Sequence, residues 1–170
     1  MSYYLLVQTN YHEAPAVSTP KISGAAFTEA ELSAWHGMLT LHSAIMRDLD
    51  RGLMTSHQIS AREFDVLITL FNAPDRRLRM SDLGDRVLLS PSGVSRLVDR
   101  LGREGLVERR SYESDARSIQ AILTDLGDKR LDEARTTHNT VIRAHFTDHL
   151  TSNELAELGE LWQRVLSEVS

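Results

Sequence analysis

The sequence predicts a mainly α protein with a small β-hairpin, on three observations: capping boxes ahead of long apolar stripes, two helix starts crowded between residues 80 and 91, and a change of period after Gly105. At 170 residues the chain suits one domain, or two associated lobes, and it is long enough to bury a core.

Residues 1 to about 27 hold Pro15 and Pro20 and no steady period, so they read as an extended or mobile arm. Thr28 and Glu31 form a capping box, each side chain satisfying a free backbone N–H at a helix start. From there Leu32, Trp35, Leu39, His42, Ile45 or Met46, Leu49 and Leu53 recur at three- and four-residue steps, predicting a helix over about 28–53. A second box, Ser60 and Glu63, opens a core helix carrying Phe64, Leu67, Ile68 and Phe71 that stops before Pro74. Met80 to Leu88 offers Leu83, Val87 and Leu88 to one face of a short helix. Ser90-Pro91 follows at once, and Pro suits the first helical position because its missing N–H would have no partner there anyway. Val94, Leu97, Val98 and Leu101 give the buried stripe of that helix, and Gly105 suits the left-handed residue past its end.

Beyond Gly105, Leu106 to Arg110 and the alternating Ser118 to Leu123 read as two strands joined by a polar loop, Ser111 to Arg117. Thr124 caps a long helix that includes Leu126, Leu131, Ala134, Val141, Ile142, Ala144 and Phe146. A third box, Thr151 and Glu154, begins the last helix, completing helical segments over about 124–169. Its Leu155, Leu158, Leu161, Trp162, Val165 and Leu166 are too many to hide in a small lobe, which implies a partner chain.

Two short helices with a tight turn, followed by a projecting hairpin, make a winged helix-turn-helix lobe at about 60–124. The net charge of −5 argues weakly against nucleic acid, but its distribution does not. Between Arg76 and Arg117 ten Arg face seven acids, a local +3 inside a chain whose remainder carries −8. The absence of cysteine excludes disulfides, thiolate metal sites and thiol redox sensing. The run Tyr3-Tyr4-Leu5-Leu6-Val7 lacks a basic leader and is too short for a signal peptide or a membrane span, so a cytoplasmic location is expected.

Ser90 to Leu101, Gly105-Leu106-Val107-Glu108-Arg109-Arg110, Asp115-Ala116-Arg117 and Leu123-Thr124-Asp125-Leu126-Gly127, in this order and spacing, resemble the MarR (multiple antibiotic resistance regulator) family. Gly84 departs from it, standing where the family usually carries Ala, a change that loosens the helix by about 1 kcal/mol. The resemblance implies a MarR-type domain over 28–170, whose outer helices at about 28–53 and 124–169 form a dimerisation lobe. It also implies a homodimer that reads a palindromic operator in double-stranded DNA as a ligand-responsive repressor.

With the apolar stripe of the second motif helix buried, its opposite face shows Ser92, Gly93, Ser95, Arg96, Arg100 and Arg103 behind the cap Ser90. Ser92 and Ser95 can donate to base edges or phosphates, and Arg96 can hold guanine through two bonds. Arg100 and Arg103 either touch the DNA backbone or form intramolecular salt bridges. Arg109 and Arg110 are expected to flank phosphates, one of them otherwise pairing with Asp99 or Asp115. By the resemblance, Asp115 orients Arg117 into the minor groove, where an A·T-rich tract concentrates negative potential.

The resemblance further implies a small aromatic or anionic effector. Trp35 and Asp65, with Arg96 or Arg100, are similar to a urate-responsive subgroup, against the plainer reading of Trp35 as core on a helix stripe and Asp65 as a second-position helix acid near the dipole. His138, His145 and His149 share one predicted helical face, and His145 and His149 have metal-ligand spacing, which keeps a metal-responsive regulator as an alternative. With no Cys and no compact His and acid motif, no metal site and no cofactor are expected. No glycine-rich phosphate loop, metalloprotease motif or nucleophile elbow points to an enzyme. An interaction module that kept the fold and lost DNA binding is the other alternative.

Overall fold

Three capping boxes and two single caps set where the helices start. The computed structural model describes residues 26–112 and 115–167, so nearly all of the arm at 1–27 and the tip of the wing lie outside the described residues. Thr28 accepts from the Glu31 N–H and Glu31 returns a bond to the Thr28 N–H at 2.7 Å, opening α1 (Glu29–His57). Ser60 with Glu63 does the same for α2 (Ala61–Phe71). After a short 3₁₀ turn at Pro74–Arg76 come β1 (Arg77–Arg79), α3 (Met80–Arg86) and α4 (Pro91–Arg103), the last capped by Ser90. Strands β2 (Val107–Tyr112) and β3 (Asp115–Leu123) make the hairpin, and Thr124 caps α5 (Asp125–His145). Thr151 and Glu154 again exchange bonds ahead of α6 (Ser152–Ser167).

The core sits among α2, α3, α4 and the sheet, where Leu67, Leu70, Leu83, Val98, Leu101 and Leu106 are fully buried. Strand order is β1-β3-β2, all antiparallel, with Val107 opposite Leu123, Arg110 opposite Gln120 and Leu78 opposite Ala121. Helix α5 joins this lobe to α1: His57 Nε2 and Thr137 Oγ1 share a hydrogen bond of 2.8 Å, as do His145 Nε2 and Asp48 Oδ2. Phe64 of α2 stacks on His138 of α5 with centroids 4.5 Å apart. No helix of the described residues is long and apolar enough to cross a membrane.

Several expectations need correction. Helix α1 continues past residue 53 to His57 and ends at the left-handed Gln58, with Gly52 inside it where a Cβ would lie 3.0 Å from Thr137 Cγ2. Arg77–Arg79 is a strand that three residues are too few to announce by period. The wing strands reach Tyr112 and resume at Asp115, so little of the expected Ser111 to Arg117 loop is loop. Leu88 leaves the buried face of α3: its φ is 54° and it is 87% exposed, because the chain turns there towards Ser90. Leu126 is exposed on α5. Phe146, at φ −135° and ψ −71°, lies outside α5, and His149 falls in the next 3₁₀ turn. His145 and His149 therefore do not share a helix, and no three potential ligands gather for a metal among the described residues. A Cβ at Gly84 would lie 3.4 Å from Leu89 O and Val94 Cγ1, room an alanine can use.

Candidate nucleic-acid interface

Everything at the N-terminal end of α4 follows from Ser90 and Pro91. The Ser90 hydroxyl accepts from the Gly93 N–H at 3.2 Å and lies 3.2 Å from the Ser92 hydroxyl. Val94, Val98 and Leu101 bury one face, which leaves Ser92 and Arg96 exposed and Gly93 and Ser95 half-buried. Among the described residues Arg96 has neither ion pair nor hydrogen bond, so its guanidinium is available to a ligand outside the chain.

The other candidate arginines carry acidic partners. Arg100 Nε lies 2.9 Å from Glu63 Oε1 and 3.6 Å from Glu104, the intramolecular alternative the sequence had left open. Arg109 of β2 pairs with Asp99 of α4 and reaches Ser95 Oγ at 3.4 Å, tying the wing to the helix. Arg110 binds both oxygens of Glu108 at 2.9 and 3.0 Å, one strand period away. That bond holds the Glu108 carboxyl below its ordinary pKa and raises Arg110 above its own. The Arg109 and Arg110 pairs are exposed, so they contribute little to stability and can be exchanged for phosphate at small cost. Asp115 and Arg117 lie on β3, and their side chains fall outside what is described.

A cleft of about 230 Å3 opens between α2 and the turn from α3 to α4, lined by Arg62, Asp65, Ile68, Thr69, Arg86 and the Val87-Leu88 turn. Asp65 belongs to it; Trp35, Arg96 and Arg100 do not. Trp35 is 49% exposed on α1, so it is not core within one chain. Arg62, three residues before Asp65 on α2, and Arg86 have no counterpart among the sequence-read site residues, and Leu88 reads there only as part of an apolar face; the turn that brings Arg86 and Leu88 to Asp65 has no pattern of its own. Burial pushes the Asp65 carboxyl above its ordinary pKa of 3.8, against the opposing pull of Arg62 and His138. An acid raised in this way takes up protons on folding. The stability it lends is full below 3.8 and is lost as pH rises through its folded value. Asp65→Asn should therefore raise the melting temperature at neutral pH and flatten that loss; melts between pH 3 and pH 8 that match the parent throughout would refute this.

A MarR family model matches residues 57–118. Sco3205 of Streptomyces coelicolor, a MarR family transcriptional regulator whose crystal structure is in complex with DNA, matches 85% of this chain and 94% of its own at 30% identity, with a TM-score of 0.79. AbsC, a MarR family transcriptional regulator from the same organism, matches 86% of this chain and 98% of its own at 27% identity and a TM-score of 0.78. The HTH-type transcriptional repressor YetL of Bacillus subtilis (strain 168) is 32% identical over 110 residues, 63% of this chain. The match spans 66% of YetL, and others with curated relatives span as little as half of their length.

Proposed function

The chain belongs to the MarR family, and from that premise we propose that it is a sequence-specific regulator of transcription, a homodimer that binds a palindromic operator in double-stranded DNA and represses until an effector releases it. The observation that carries the reading is α4: a helix capped at its exposed end, buried along one side, with Ser92 and Arg96 exposed, Arg96 without an ion pair among the described residues, in a fold shared with a regulator crystallised on DNA. The winged lobe spans about 60–124 within a domain over 28–170.

In this reading the α4 helices of two chains enter successive major grooves about 34 Å apart. Ser92, Gly93, Ser95 and Arg96 approach base edges, while Ser90 holds the helix start. Arg109 and Arg110 exchange Asp99 and Glu108 for phosphates, and Asp115 steers Arg117 into the flanking minor groove. The effector is a small anionic or aromatic molecule; support for it lies in the Asp65 cleft with its two arginines and apolar turn. Only a ligand that prefers the spacing unable to bind DNA can release the operator.

Arg96→Ala should weaken operator binding by about 1 to 3 kcal/mol and relax preference at one base pair of each half-site. Arg117→Ala should weaken it most on A·T-rich flanks. Operator selection followed by anisotropy titration on single-base variants checks both. An Arg96→Ala protein with unchanged affinity and unchanged base preference would remove α4 from the role of reader.

A further inference from the structure

We propose that Arg100 is a positioning residue for DNA binding, held by the buried Glu63 carboxylate rather than by nucleic acid, and that this pair sets how α4 presents Arg96. The inference rests on the DNA-binding reading above. Glu63 is 1% exposed, the one charged side chain buried among the described residues. Its Oε2 accepts from the Ser60 N–H at 2.8 Å and from the Ser60 hydroxyl at 2.9 Å, closing the α2 cap. Its Oε1 accepts no hydrogen bond and has Arg100 Nε at 2.9 Å. The N–H is not aligned on the oxygen, so what acts there is attraction between charges.

A carboxylate taken out of water needs a counter-charge, and removing that partner leaves a buried charge uncompensated. Arg100 supplies it from the third turn of α4, and Glu104 stands 3.6 Å away as a second acid on the same guanidinium. A phosphate would be a third negative group there, whereas Arg96 has no acidic partner among the described residues. Asp99, the preceding residue, takes Arg109 of the wing, so consecutive residues strap α4 to two different elements. Residues four apart share a helix face, so the rotation of α4 that brings Arg100 to Glu63 also sets the side from which Arg96 emerges one turn earlier. Because Arg100 is 42% exposed, a phosphate contact is the rival to be separated.

Three full-length variants separate them: Arg100→Met, Glu63→Gln, which keeps a carbonyl acceptor for the Ser60 cap, and the double variant. Each is titrated against a selected operator duplex at several salt concentrations and melted without DNA. The proposal expects Arg100→Met to lose about tenfold in operator affinity, within the range of coupled neighbours, and about 5 °C in melting temperature. The dependence of affinity on salt should be unchanged, and adding Glu63→Gln should recover most of both losses. A salt slope reduced by about one phosphate, with no recovery in the double variant, would make Arg100 a DNA contact and overturn the proposal. Lost stability with intact operator affinity would reduce the pair to a structural one and overturn it too. If the parent protein itself prefers no duplex, the DNA-binding reading fails and takes the positioning role with it. Recovery of the melting temperature in the double variant would still establish the pairing.

Discussion

Gly127→Ala is expected to be the most damaging glycine-to-alanine change among the described residues. A Cβ at this position would stand 2.1 Å from Leu106 O and 2.8 Å from Leu123 Cδ1, and the first of these is backbone that no rotamer change can move. The surroundings are held from several sides. Thr124 donates its hydroxyl to Gly105 O at 2.7 Å, its N–H bonds Leu106 O at 3.2 Å, and the Gly127 N–H bonds Thr124 Oγ1 at 3.0 Å. These bonds pin the start of α5 to the turn where α4 ends, at the left-handed Gly105 with φ 73°. Relieving the clash means separating the two, which exposes Leu106 and breaks the cap. Overpacking commonly costs about 1 to 3 kcal/mol, and the upper end or beyond is expected where backbone must yield. For a chain of this size that lowers the melting temperature by about 6 to 12 °C, read by circular dichroism at 222 nm. A variant melting within a degree of the parent would show that α5 can shift away at little cost.

Trp162→Glu should separate the two chains. Helix α6 turns Leu161, Trp162, Val165 and Leu166 outward, each between 39% and 59% exposed, and Leu32 and Trp35 of α1 are exposed as well. A strip of that size is rarely left to water, and a second copy offers an identical strip across a two-fold axis. A carboxylate placed inside such an interface loses its water on association, a cost the indole does not carry. Light scattering coupled to gel filtration should then report one 19.1 kDa chain where the parent gives two. Operator affinity should fall by about 10² to 10⁴-fold, because each half-site would be held without the effective concentration of its neighbour. A variant that stays dimeric would place the interface elsewhere.

Much of the fold was legible because the punctuation is local. The boxes at Thr28, Ser60 and Thr151 and the Ser90-Pro91 start each involve residues three or fewer apart, and all four open helices. Gly105 adopts the positive φ its position after α4 asks for. What was not legible depends on contacts across the fold. The apolar stripe of α1 runs out near residue 53, while the helix continues to the left-handed Gln58. The exposed Leu88 looks like part of an apolar face until the chain turns at it. The same holds for the candidate interface. Ser90, Ser92 and Arg96 could be set on one exposed end of a helix from spacing alone. Whether an arginine meets phosphate or carboxylate is not written in its letter, and Glu63, which claims Arg100, lies 37 residues earlier with only its capping role visible.

Sequence-specific recognition of an operator is the property on which the repressor reading depends. Its most direct test is a fluorescence anisotropy titration of the full-length protein against a selected palindromic duplex and a scrambled one, at several salt concentrations. Saturation at one dimer per palindrome, a preference of about a thousandfold or more, and an affinity that falls steeply with salt are expected. Equal, weak binding to both duplexes, with selection recovering no preferred site, would contradict it and leave a protein that kept the fold for contacts with other proteins.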